Sequence, residues 1–343
     1  MCCSAPLPDA PGEPPLGARR AQTTITPAAA GERLDHWLAR RFTYHARTAW
    51  QRLIAAGQVR VNGAPVRAAR LLRAGDVVEY LPDDVPEPPV ATNVEIVARG
   101  PGWLALNKPA NLPCHPGGRY FRHTLWGLLR ERYGAVSLVH RLDRETSGLV
   151  LVGTEPAAAA SLARTFAAGR ARKEYLAIVA GDFPATAHAA GFLAPDPRSP
   201  VAKKRRYFAA DPGGGEAAET DFSALGRGAG LSLVSCRPAT GRLHQLRATL
   251  EALGYPIIGD KLYGPDPALY LRFARGGLSA ADVARLRLSR QALHAWRLRL
   301  VLPGAGDDER ELEASLPADL VACLHAAAIP WPLAPDAARP RLS

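Results

Sequence analysis

Residues 137–152 read SLVHRLDRETSGLVLV: two apolar runs enclose a polar stretch, HRLDRETSG, that carries Arg141, Asp143, Arg144 and Glu145. Short runs of Leu and Val bounded by polar residues and Gly are the pattern of buried strands. A polar loop held between two such strands is a rigid platform for a reactive side chain. Outward from this stretch the same pattern recurs. VEIVARGPGWLALNKP (residues 94–109) predicts two strands about a Gly-Pro-Gly turn, and ARKEYLAIVAG, LSLVSC, YPIIGD and LHAWRLRLVLP each predict a strand. EPAAAASLARTFAAG, Ala-rich with an acidic start and a terminal Gly, predicts a helix. In HQLRATLEALG the leucines at 246, 250 and 253, with Leu243 just before them, have helical spacing, with Gly254 as the stop. The elements do not alternate regularly, so the expected class is α+β: a mixed, largely antiparallel sheet with peripheral helices and a central cleft.

Ahead of this domain, residues 1–30 are rich in Pro, Ala and Gly without apolar periodicity and read as a disordered leader. From residue 31 to 81 the pattern is two short amphipathic helices (Leu34, Trp37, Leu38; Trp50, Leu53, Ile54) followed by short strands with turns at Asn62-Gly63 and Gly75-Asp76. PDDVPEPPV, residues 82–90, reads as a linker, residues 91–330 as the large domain and 331–343 as a tail. Composition narrows the class further. The chain has 343 residues, a net charge of +11 and five scattered cysteines (Cys2, Cys3, Cys114, Cys236, Cys323) without a C-x-x-C pair. That argues against a disulfide framework or a thiolate zinc site and for a reducing, cytoplasmic setting. No apolar run approaches the roughly 18 residues that span a bilayer. No exposed heptad calls for a partner helix, so a monomer is expected.

The charge is uneven. Residues 31–80 hold nine arginines against four acids, among them Arg40, Arg41, Arg47 and Arg52 on the helical pattern. Guanidinium groups on a small rigid unit suit phosphates, to which each offers paired, charge-assisted bonds; a solvated basic face is the alternative. A second basic run, Lys203–Arg206, precedes an expected hairpin with its turn at DPGGG and suits phosphate as well. In the central loop, Asp143 lies between two arginines that would keep it ionised and nucleophilic, whereas a structural Asp–Arg turn needs no chemistry at all. Asp143 with Glu145 could serve a glycosidase, but their spacing does not guarantee convergence. A kinase loop is excluded, because the order is H-R-L-D and no G-x-G-x-x-G precedes it.

The residues carry two resemblances. ERLDHWLARRF, ARTAWQRLIAAGQVRVNGAPV and LLRAGDVVEY together resemble the S4-type RNA-binding domain, with Ala46 where that family often has serine. HRLDRETSGLVLV resembles the catalytic motif of the RluA-type pseudouridine synthases. WLALNKPANLPCHP, ARKEYLAIVAG, RPATGRLHQLRATLEALGYPIIGDKLYG and LHAWRLRL extend that likeness, in order, over residues 94–302. Leu243 and Thr249 depart from the usual threonine or serine and histidine, and neither is expected to react.

The resemblance implies an enzyme that detaches a uridine's base, rotates it and rejoins it through carbon, with no cofactor or metal. It assigns catalysis to Asp143, Tyr175 and Arg247: the carboxylate that opens the reaction, a tyrosine packed on uracil, and the arginine that pairs with the aspartate. Arg141 would fill the gap left by a flipped base. His140, Arg144, His115 and Arg119 are expected to face RNA, and a metal site from His115 and His123 is not. The expected substrate is large-subunit (23S) ribosomal RNA. Transfer RNA is the alternative, since the HPGGRY loop resembles members acting there; a non-catalytic RNA assembly factor is the reading from another class.

Overall fold

The computed structural model describes residues 5–6, 21–42, 46–81, 87–117, 120–266, 268–274 and 276–332. Arg119 and the segment 333–343 lie outside them. The chain divides into two units, a small one of residues 12–89 with the loop 115–123, and a large one of residues 1–11, 90–114 and 124–343.

The strands and helices, numbered along the chain, begin with β1 (Ala5–Pro6), which belongs to the large unit. The small unit contains β2 (Ala21–Thr24), α1 (Leu34–Arg41), α2 (Arg47–Ala55), β3 (Val59–Val61), β4 (Ala64–Pro65) and β5 (Val77–Tyr80). Its antiparallel sheet runs β2-β5-β3-β4. Strand β2 and a 3-10 turn at Pro27–Ala29 fall inside the stretch expected to be a leader, so the folded unit starts before residue 31. Four residues, AQTT, are too few and too polar to show strand periodicity. The β3–β4 hairpin turns on Asn62 and Gly63, both at positive φ, as a two-residue turn requires. Leu34, Leu38, Trp50, Ile54, Val59, Val61 and Leu72 close the core, each at most 3% exposed. Asp35 is buried among them. Burial pushes its carboxyl up, but hydrogen bonds from Arg33, Gln51 and Arg47 outweigh that and hold it well below the carboxylate range.

The large unit contains β6 (Glu95–Gly100), β7 (Trp103–Lys108), α3 (Leu125–Tyr133), β8 (Ser137–Leu138), β9 (Ser147–Gly153), α4 (Pro156–Ala167), β10 (Arg172–Ala180), β11 (Thr186–Pro195), β12 (Arg205–Phe208), β13 (Glu216–Gly228) and β14 (Leu231–Pro238). It continues with α5 (Gln245–Ala252), α6 (Leu269–Ala274), α7 (Ala280–Leu286), β15 (Leu293–Val301), β16 (Glu309–Glu313) and α8 (Ala318–Ala326). One sheet links them in the order β1-β6-β7-β9-β15-β10-β14-β13-β11-β12, with β8 on β9 and β16 on β15. The class is α+β, as expected. Pairing is antiparallel except between β9 and β15.

Strand β9 is buried at every position, which is why SGLVLVG reads as a continuous apolar run and not an alternating one. Gly148 sits at φ +112°, and a Cβ there would lie 2.2 Å from the Ala295 carbonyl oxygen. The glycine that ends HRLDRETSG is therefore demanded by the β9–β15 contact. Two expectations need correction. YPIIGD forms only a bridge from Ile257 to Val179 and a turn. DPGGG does not close a hairpin, because β12 and β13 both pair with β11, one on each side.

Candidate active site

The turn between β8 and β9 carries Asp143, and it is pinned from several sides. The Leu142 amide donates to Cys114 Sγ at 3.3 Å, and the Thr146 amide donates to the Asp143 carbonyl at 3.1 Å. Behind it the fully buried Lys108 ammonium donates to the carbonyls of Pro109 and Leu112, both at 2.9 Å, and of Arg144 at 3.2 Å. Burial brings this lysine down to about 8. All three of its donors are used on backbone, so its role is to hold the turn.

Helix α5 supplies the partner. Arg247 Nη1 donates to Asp143 Oδ2 at 2.7 Å, while Nε and Nη2 grip the two oxygens of Asp260 at 2.6 and 2.9 Å. Asp260 in turn accepts the amides of Leu262 and Tyr263 at 2.9 and 3.0 Å. The guanidinium also lies 5.0 Å from the Tyr263 ring centre. The apolar spacing of α5 places Arg247 off the leucine stripe, yet Gln245–Leu250 are all buried, so its polar face is buried too and lines the cleft. Gln245 fixes the approach to the helix, accepting from the Arg242 amide and Thr240 Oγ1 and donating to the Glu219 carbonyl and Thr220 Oγ1.

These contacts set the charges. Burial pushes the Asp143 carboxyl up, but Arg247, then His244 and Gln291, outweigh it and hold the group below the usual carboxylate range. Burial alone would lower Arg247, and Asp260 and Asp143 reverse that, so it stays a cation. Tyr175 is pushed up by burial and by Asp143, so its phenol keeps its proton. His244, at φ +57° just before α5, places Nδ1 3.0 Å from the Tyr263 hydroxyl and Nε2 3.9 Å from Asp143 Oδ1. Burial and Arg247 bring it down to about 4, so the imidazole is neutral at pH 7.

A cleft of about 630 Å³ joins these groups, lined by Asp143, Tyr175, Arg247, His244, His140 and Arg141 among others. Arg141 is exposed there. His140 is committed to structure: Nε2 accepts the Leu151 amide at 3.0 Å, and the ring stacks on Phe166 at 4.6 Å. Arg144 and Glu145 do not line the cleft. Arg144 bonds Glu145 and faces the Phe273 ring, and Glu145 also takes Lys261 at 2.8 Å, so the two-carboxylate arrangement of a glycosidase is not formed.

Of the other expected contacts, His115, Arg40, Arg41, Arg47 and Arg52 lie on the small unit. His115 is exposed, and the loop it opens is tied by Glu87, which accepts the amides of Phe121, Arg122 and His123. Arg52 is exposed, Arg40 pairs with Glu32, Arg41 lies 5.4 Å from the Phe42 ring centre, and Arg47 bonds Asp35 at 2.9 Å. In the basic run, Lys204 turns inward between Asp196 and Glu251, each at 3.8 Å. Among the described residues no group of three or more His, Cys, Asp or Glu could hold a metal ion, and no helix is long and apolar enough to cross a membrane. Asp260, His244 and Tyr263 were not singled out from the sequence, although HQLR and IIGDKLYG contain them.

The family model of RNA pseudouridylate synthases matches residues 102–252, and that of the S4 domain matches residues 32–78. A Chloroflexus aurantiacus protein named "Uncharacterized RNA pseudouridine synthase" is 35% identical over 316 residues, covering 89% of this chain and 93% of that one. The ribosomal large subunit pseudouridine synthase D of Nitrosomonas europaea is 31% identical over 319 residues, with 89% and 87% covered. The structure of human RNA pseudouridylate synthase domain containing 1 aligns with a TM-score of 0.53 at 28% identity, over 69% of this chain and 90% of that one. With a pinned, ionised aspartate in an arginine-lined cleft and an S4 domain ahead of it, the chain belongs to the RluA-type RNA pseudouridine synthases. It is an RNA-binding isomerase.

Proposed function

We propose that this enzyme isomerises uridines of large-subunit ribosomal RNA, with Asp143 as the carboxylate that opens the reaction. The observation that carries the reading is the Asp143–Arg247–Asp260 chain: the reacting carboxylate is held ionised and in one rotamer by a guanidinium that is itself clamped from behind. Tyr175, neutral and lining the same cleft, offers its ring as a platform for uracil. Arg141, exposed at the cleft, would fill the place vacated by the flipped base, whose extrusion costs about a few kcal/mol. The ribosomal substrate is supported by the Nitrosomonas relative, which matches along nearly its whole length, S4 region included.

The test is pseudouridine mapping of total RNA from cells with and without the gene, complemented by wild type or by Asp143→Asn. Loss of a ribosomal site restored only by wild type is the expected result. Loss confined to transfer RNA would keep the chemistry and overturn the substrate. Complementation by Asp143→Asn would overturn the assigned role of the aspartate.

A further inference from the structure

The charges of the cleft do not balance. Among the described residues Asp143 is the one acidic group that lines it; Asp143 and the buried Asp260 share the single guanidinium of Arg247 and so leave one negative charge, against which Arg141, Lys173 and Arg242 line the same cleft. Arg242 is partly engaged with the Ala217 carbonyl and, at 3.9 Å, with Glu216. Lys173 is different. Its Nζ donates to the Thr240 carbonyl at 3.1 Å, and no carboxylate among the described residues comes within ion-pair distance. The neighbouring Glu174 turns to Ser235 instead. Burial alone pushes the lysine below its ordinary range, with no opposing charge to restore it. A Cβ on Gly241 would come 3.4 Å from Nζ, so the backbone at 240–241 approaches the ammonium closely.

An ammonium has three donors, and a partly desolvated one without an anion is costly. Structural lysines avoid this by spending all three donors, as Lys108 does on three carbonyls. Lys173 spends one, in a cleft that accepts a polyanion. We propose that the Lys173 ammonium, seated on the Thr240 carbonyl in the cleft that holds Asp143, binds a backbone phosphate of the RNA strand beside the flipped nucleotide. This rests on the reading of that cleft as the RNA-modifying site. The phosphate supplies the missing anion, and Thr240 sets the direction from which it is met.

The full-length enzyme and its Lys173→Met and Lys173→Arg variants would be assayed on total RNA from cells deleted for the gene, from 50 to 300 mM KCl. For Lys173→Met, kcat/KM at 100 mM KCl is expected to fall about tenfold, mainly through KM, as loss of a charge-assisted contact implies. The slope of log kcat/KM against log[KCl] should become shallower by about 0.7, the share of one phosphate on a single strand. Lys173→Arg should keep the wild-type slope. An unchanged slope in Lys173→Met, with a lowered Tm or kcat, would make Lys173 a strut for the 239–242 loop and overturn the proposal. Failure of the wild type itself to form pseudouridine would instead sink the reading of the cleft.

Discussion

At the scale of single residues, the site is a chain of charges in which each member fixes the next. Removing Asp260 is therefore expected to matter although it never meets RNA. Asp260→Asn leaves a buried guanidinium half-clamped, and breaking such a pair costs about 3–5 kcal/mol. We expect a lower Tm and at least a hundredfold lower kcat, measured by thermal unfolding and single-turnover assay. Titration gives a second expectation. His244 and His294 are each brought down to about 4, chiefly by burial, from an ordinary value of 6.5. Being lowered, they stay neutral in the fold but take protons once unfolded, so stability falls as pH drops from 6.5 towards 4. The loss is of order 2 kcal/mol for each by pH 5. Asp143 and Asp260 act in the same direction over a lower window: their contribution is complete above the ordinary carboxylate range and is lost as pH falls from there through their lowered values. Acid unfolding should then begin above pH 4.5, while Asp143 is still ionised; urea titrations at pH 7, 6 and 5 check this. The Asp143–Arg247 pair was legible from motif resemblance. Asp260 was not, because an aspartate in IIGD looks like a turn residue and its bonds to Arg247 span 13 positions.

Among the elements, β9 and its turn decide the geometry, and their strand pattern was plain from the apolar run. Its parallel pairing with β15, about 150 residues later, has no local signal; the sequence trace it leaves is Gly148. Gly148→Ala is expected to destabilise the protein by more than about 3 kcal/mol, since both φ and a backbone contact oppose a side chain. Insoluble expression or a Tm lowered by several degrees would show it; an unchanged Tm would mean the strands can separate at no cost. Helix α5 also escaped a simple amphipathic reading. Its polar residues Gln245 and Arg247 are buried because they bond neighbouring segments, at Thr220 and Thr240 and at Asp143 and Asp260, so hydrophobic spacing described only half of its surface. YPIIGD misled for a related reason, as an apolar segment can fill a core in a turn as well as in a strand.

For the whole molecule, two units share the work of binding RNA and reacting with it. The small unit was recognisable because its helix stripes and the VNG turn are local features; its first strand was not, being short and polar. Arg52 and Arg60 are exposed on it. Reversing both, Arg52→Glu with Arg60→Glu, should weaken RNA affinity at least tenfold and flatten its salt dependence, with kcat at saturating RNA unchanged. Filter binding across KCl concentrations, with parallel turnover assays, measures both. The central claim is that an ionised Asp143 drives isomerisation without releasing the base. It is tested most directly by incubating purified wild type and Asp143→Asn with RNA from gene-deleted cells carrying uridine tritiated at carbon 5. Rejoining through that carbon expels the label, so tritium in water, pseudouridine in the digest and no free uracil are expected from wild type, and none of these products from Asp143→Asn. Equal tritium release by the variant, or free uracil from the wild type, would contradict the account.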